Sequence, residues 1–109
     1  MSEDHKIAVC TFRVRSGAEA EFEALLQRHW PTLSGLGLTT ERPTQIYKGQ
    51  ERDGGRVYVE LFEWLSIEAS ASAHELPQVL AIWEPMGRLV EQRGDRPAMD
   101  FIHVSDLQP

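Results

Sequence analysis

The stretch VYVELFEWL, residues 57–65, limits what this chain can fold into more than any other part of it. Its β-branched and aromatic residues run without a Gly or Pro, which is the pattern of a strand. Alternation puts Tyr58, Glu60, Phe62 and Trp64 on one face and Val59, Leu61, Glu63 and Leu65 on the other. Both faces are mostly apolar. A strand of that kind belongs to a sheet that is covered on both sides over at least part of its length.

Asp53-Gly54-Gly55, just before it, suits a turn with positive φ, so residues 44–50 (TQIYKGQ) and 56–65 form an antiparallel hairpin. Residues 6–15, KIAVCTFRVR, are a further strand. Ala8, Cys10, Phe12 and Val14 make its wholly apolar face, and Ile7, Val9, Thr11, Arg13 and Arg15 make a face that is apolar only at its start. After Ser16-Gly17, the acids Glu19, Glu21 and Glu23 open a helix, where the positive end of the helix dipole favours them. Phe22, Leu25, Leu26 and His29 follow i, i+3, i+4, i+7 spacing. Pro31 disfavours helical backbone at Trp30, so the helix is expected to end or kink there and to have stopped by Gly35 and Gly37. Ser66 is an N-cap for an Ala-rich helix, and Pro77 fits the first turn of a second helical piece. Leu76, Val79, Leu80, Trp83, Met86 (or Gly87) and Val90 keep helical spacing across Pro85. That predicts a kinked helix or two short ones rather than a loop. Gly94 marks the stop, and residues 99–105, MDFIHVS, are the last strand.

Strand, helix, strand, strand, helix, strand is the ferredoxin-like βαββαβ order, an α+β fold whose four-stranded antiparallel sheet has helices on one face. A length of 109 residues suits one domain over 1–109. The uncovered face of the sheet would carry Ile7, Val9, Val59, Leu61 and Leu65, more apolar surface than a soluble monomer leaves open. The simplest cover is a second copy of the chain, related by a two-fold axis.

The formal net charge is −6 and the Lys and Arg residues are scattered, which argues against a nucleic-acid partner. Cys10 is the one cysteine and cannot form an internal disulfide, so a reducing compartment is expected. MSEDHK has no signal-peptide character, and no apolar run reaches the ~18 residues of a membrane span. The expectation is a cytoplasmic protein with no membrane partner.

The chain resembles the antibiotic-biosynthesis-monooxygenase-like domains of the dimeric α/β-barrel superfamily over about residues 6–105. The resemblance lies in the first strand running into Arg15-Ser16-Gly17 before an acidic helix start, in Phe62-Glu63-Trp64 leading to a helix with His74, and in HELPQVLAIWEPM, 74–86, as a broken second helix. It implies a homodimer built through the sheets and a pocket between helices and sheet in each subunit. It also implies oxidation of aromatic compounds by O₂ without metal or flavin in some members, and haem degradation in others. Cys10 stands where the haem-degrading branch carries Asn, and the positions of that branch's Trp and haem-ligand His match His74 and Trp83 or Glu84. The cofactor-free oxygenases surround a phenolic substrate with Asn, Trp and Arg. Trp64 and Trp83 match the indole role, whereas this chain contains no Asn and needs a substitute donor.

If Cys10 faces the helices, as the resemblance implies, Ala8, Phe12 and Val14 do too, and Tyr58, Glu60, Phe62 and Trp64 are taken to line the same side. If the alternation is off by one, Glu63 replaces Glu60. Glu60 is then a buried carboxylate, either a general base or the structural partner of a histidine or arginine. His74 is the leading candidate for taking a phenolic proton, against an exposed or capping role before Pro77. His29 either completes the pocket wall or sits at a helix end. The side of His103 is left open. Cys10 reads as a small core residue rather than a nucleophile. No two histidines have i, i+3 or i, i+4 spacing, no glycine-rich phosphate loop is flanked by strand and helix, and no Ser-His-acid order appears. No metal or cofactor is therefore expected. The functional expectation is a cofactor-independent monooxygenase-like protein for a small aromatic or quinone-type molecule. Its catalytic residues would be His74 and Glu60, and its pocket would be Cys10, Phe12, Tyr58, Phe62, Trp64, Trp83 and His29. A non-catalytic binding or stress-associated dimer and a haem protein are the alternatives.

Overall fold

In the computed structural model, residues 5–107 are described, and they form β1 (Ile7–Arg13), α1 (Glu19–Gly35), β2 (Gln45–Gln50), β3 (Arg56–Glu63), α2 (Ile67–Ala73), α3 (Pro77–Arg88) and β4 (Met99–Val104). The four strands make one antiparallel sheet in the order β2-β3-β1-β4. This is the ferredoxin-like arrangement, with β1 and β3 inside and β2 and β4 as edges. No helix is long and apolar enough to cross a membrane.

Register fixes the faces, because directly paired residues of an antiparallel sheet point the same way. Ala8, Cys10 and Phe12 of β1 pair with Phe62, Glu60 and Tyr58 of β3, and all six are buried under the helices. Phe22, Leu25, Leu26, His29 and Leu33 of α1 close over them, with Ala69 and Ala73 of α2 and Val79, Ile82 and Met86 of α3. Phe12 and Tyr58 each pack a ring 5.2 Å from that of Phe22. On α3 the buried positions are Val79, Ile82 and Met86, while Leu80 and Trp83 are half-buried, so the stripe expected from spacing is turned slightly toward Ile82.

α1 does not stop at Trp30. It continues through Pro31 to Gly35, because Leu33 in its last turn is completely buried while the Pro31 ring lies exposed. The missing N–H and the ring clash of a helical proline cost about 3 kcal/mol, and burial of Leu33 and Leu38 beyond it opposes that cost. Ser66 caps α2 as expected, accepting the Ala69 N–H at 3.0 Å. The expected second helix is two pieces that break at residues 74–76, with Pro77 in the first turn of the second and Pro85 carried inside it.

β3 is prolonged past its last ladder residue. Trp64 donates its N–H to Lys6 O at 2.9 Å and bridges Thr39, and Leu65 donates to Leu38 O at 2.8 Å. The backbone at Trp64 is thereby held from both sides at the end of the sheet. On the far face, Val9, Val57, Val59 and Leu61 are half-buried, and Tyr47, Ile102 and Leu65 are 54% exposed. Ile7 is buried rather than open.

Candidate functional site

Three strands and three helices enclose a cavity of about 250 Å³ on the helix side of the sheet. Its floor is Ala8, Cys10 and Phe12 from β1, with Phe62 and Trp64 from the β3 run. One wall is Met99, Phe101 and His103 from β4. The roof is His29 from α1, Ser70 from α2, His74 from the break, and Trp83 and Met86 from α3. The lining is apolar apart from a few polar groups, the usual make-up of a small-molecule site. The exposed side chains of His74, Phe101 and His103 place the mouth between the α2–α3 break and the edge strand β4.

The polar centre is a chain of three side chains. Glu60 is completely buried, and its Oε1 lies 2.8 Å from His29 Nδ1. Trp83 donates its indole Nε1–H to His29 Nε2, also at 2.8 Å. An indole nitrogen only donates, so Nε2 of His29 accepts and the imidazole proton sits on Nδ1, donating to Glu60. Glu60 Oε2 has no hydrogen-bond partner among the described residues. The His29 ring stands edge-on to Phe62 with centroids 5.5 Å apart, and His74 packs on the outer side of Trp83 at 4.9 Å. Burial first, and the neighbouring Glu60 charge second, push the Cys10 thiol well above its ordinary value. It is therefore a protonated wall residue and not a thiolate nucleophile.

Of the residues singled out from the sequence, Cys10, Phe12, His29, Phe62, Trp64, His74 and Trp83 meet at the cavity. Glu60 does not. Its carboxylate is hydrogen-bonded to His29, which lines the cavity, and Glu60 itself is not part of the lining. Tyr58 does not either. One ladder step along, it lines a separate depression with Glu23, Leu26 and Lys48, and its hydroxyl donates to Glu23 Oε2 at 2.6 Å. The sequence reading missed Met86, Ser70 and the β4 face. Met99, Phe101 and His103 visibly share a face in the sequence, but only their pairing with Phe12, Cys10 and Ala8 turns that face to the cavity. Among the described residues, no three His, Cys, Asp or Glu side chains are grouped as a metal site requires.

No family model and no curated protein matches this chain. Solved structures do. SnoaB, a cofactor-independent oxygenase from Streptomyces nogalater, is 19% identical with a TM-score of 0.65, over 98% of this chain and 99% of that one. A Nitrosomonas europaea protein named as a candidate antibiotic biosynthesis monooxygenase is 11% identical with a TM-score of 0.66, over 100% and 97%. Rv0793 from Mycobacterium tuberculosis is 22% identical with a TM-score of 0.61, over 94% and 97%. The chain has the same ferredoxin-like α+β fold as these structures.

Proposed function

We propose that this protein is a cofactor-independent, monooxygenase-like enzyme for a small phenol or hydroquinone, working as a homodimer in the cytoplasm. The observation that supports it is one cavity walled by five aromatic side chains (Phe12, Phe62, Trp64, Trp83 and Phe101) with imidazoles of His29, His74 and His103 set among them. Flat apolar walls hold an aromatic plane, and imidazoles exchange phenolic protons near neutral pH. At about 250 Å³, just below the roughly 300–1,000 Å³ of drug-sized sites, the cavity suits a one- or two-ring compound.

In this reading a cavity imidazole takes the phenolic proton, and the electron-rich phenolate reacts with O₂ at a ring carbon. The ring gains one oxygen and loses two hydrogens, and the second oxygen leaves as water, giving a quinone. His74, exposed at the mouth and with no ring hydrogen bond among the described residues, is the acid–base group that relays the proton between the cavity and solvent. Glu60 acts at one remove, through His29. Oxygen uptake with a panel of phenols and hydroquinones is the test. Uptake with at least one member is expected, and His74→Ala should lower it roughly 10²-fold, the usual size of a general acid–base contribution. Tight binding across the panel with no uptake would instead establish the binding-only reading. That reading is favoured by one feature, the engagement of both His29 nitrogens within the protein.

The dimer is proposed on the apolar far face of the sheet, where Val57, Val59, Leu61 and Val9 sit between exposed Tyr47 and Ile102. A second copy of the same face, turned about a two-fold axis, would cover it.

A further inference from the structure

We propose that Trp83 is a movable cap on a Glu60–His29 proton acceptor, and that a phenol entering the cavity displaces the indole and gives its proton to His29 Nε2. The proposal rests on the phenol-class reading above and assigns the inner end of that site.

Glu60 is fully buried, and His29, at 2.8 Å, is its one hydrogen-bonding side-chain partner among the described residues. A buried carboxylate without a partner is costly, so Glu60 favours any proton that His29 gains. A carboxylate behind the Nδ1–H of an imidazole orients the ring and stabilises the imidazolium that forms when Nε2 takes a proton. In the free protein that nitrogen is not open, because the Trp83 indole N–H occupies it at 2.8 Å. The members of the chain differ in mobility of setting. His29 is 4% exposed and Glu60 0%, whereas Trp83 is only half-buried and its outer side packs on His74, an exposed residue of the α2–α3 break. The proposed displacement therefore moves the more exposed member of the three and leaves the fully buried Glu60 in place.

Other groups do not compete for this role. From β1 comes Cys10, a thiol kept protonated by burial and by Glu60, and from β4 comes His103 at the mouth. α2 contributes Ser70 and α3 contributes Met86, neither charged, and His74 stands on the far side of the cap. Among the described residues the cavity holds no Lys or Arg to neutralise a phenolate. The imidazolium formed at His29 is therefore the group that would hold the new anion. In the step, the phenol O–H bond breaks, an N–H bond forms at Nε2, and the electron pair stays on the phenolate oxygen. No oxidant is consumed, and the charge within the cavity is unchanged.

The test uses the full chain and 4-nitrophenol, whose anion absorbs apart from the neutral form, at a pH where the free compound is mostly neutral. The wild type should bind it as the anion. E60Q should bind it with the anionic fraction lowered about tenfold, equivalent to one pKa unit, and W83F should bind it more tightly because no cap need be displaced. In ¹⁵N–¹H spectra of the wild type, the Trp83 indole signal should move on binding while His29 passes from the Nδ1–H tautomer to the imidazolium. Bound but neutral 4-nitrophenol with an unmoved indole signal would overturn the cap and leave the phenol-binding reading standing. Failure of 4-nitrophenol and of the whole phenol panel to bind would overturn both.

Discussion

Burial raises the proton affinity of two side chains on the helix face of the sheet, Cys10 and Tyr58. Cys10 is raised above its ordinary value of 9.0 by burial and then by the Glu60 charge. Tyr58 is raised above 10.0 by burial and then by its hydrogen bond to Glu23. Both groups are neutral when protonated, and the folded state holds those protons more tightly than the unfolded chain. Their stabilisation is therefore complete below the ordinary values and is lost as pH rises beyond them. Urea midpoints measured from about pH 8 to about pH 11 should fall, and Tyr58→Phe should flatten the upper part of that fall. The His29–Glu60 pair makes a sharper case. His29→Leu alone leaves a buried unpaired carboxylate and should cost about 3–5 kcal/mol by urea unfolding. Adding Glu60→Leu should restore most of it, since apolar replacement of a whole buried pair is close to neutral. From the sequence, Glu60 was legible as a buried acid with a histidine or arginine as its alternative partner. That the partner is His29, 31 positions away, was not, because nothing local links the two.

Among the elements, the β2–β3 turn is tied down most firmly. Glu51 accepts from Arg13 and Arg93 at 3.1 Å each and pairs with Arg96 at 2.9 Å, and Arg96 also reaches Asp53 at 2.8 Å. Arg93 donates further to Arg56 O at 3.0 Å and Val14 O at 2.6 Å, so one guanidinium joins the hairpin, β1 and the segment leading to β4. Gly54 turns the chain at φ 89°, as expected for its place in Asp-Gly-Gly. Gly55 is required for a different reason. A Cβ there would lie 2.5 Å from Arg93 Nη1, and although a side chain can shift, this one is held by several bonds. Gly55→Ala should therefore cost about 1–3 kcal/mol in thermal or urea unfolding. Burial pushes Glu51 up, but the Arg93 and Arg13 hydrogen bonds outweigh it, and the Arg96 hydrogen bond draws Asp53 down. With both folded values depressed, this lock is intact above the ordinary carboxylate range and fails as pH falls through the folded values. Gly55→Ala, which dislodges Arg93, should show a shallower loss of stability on acidification than the wild type.

At the scale of the whole molecule, the two faces of the sheet carry different work. The helix face holds the core and the cavity, and the far face offers apolar residues with no helix over them. If that face is the proposed dimer contact, sedimentation at micromolar concentration should give twice the mass of one chain. Val59→Lys, in the middle of the face, should give one chain's mass with the helix signal of the wild type retained. A monomeric wild type would remove the dimer and leave the cavity chemistry to be judged separately.

The sequence by itself determined the element order, the two-faced strands, the Ser66 cap, the Asp-Gly-Gly turn and most of the cavity floor. These follow from periods of 2 and 3.6 residues and from local turn chemistry, which a chain displays without being folded. It also separated the face of residues 57–65 that lies under the helices from the one that does not, although Tyr58 and Glu60 proved to lie beside and behind the cavity rather than in its wall. Tertiary structure alone decided the register that brings Phe101 and His103 of β4 beside Cys10 and Ala8. It alone carried α1 through Pro31, and it alone set His29 between Glu60 and Trp83. Each of these is a contact between residues far apart in the chain, chosen by which surfaces bury together and which buried polar atoms find a partner.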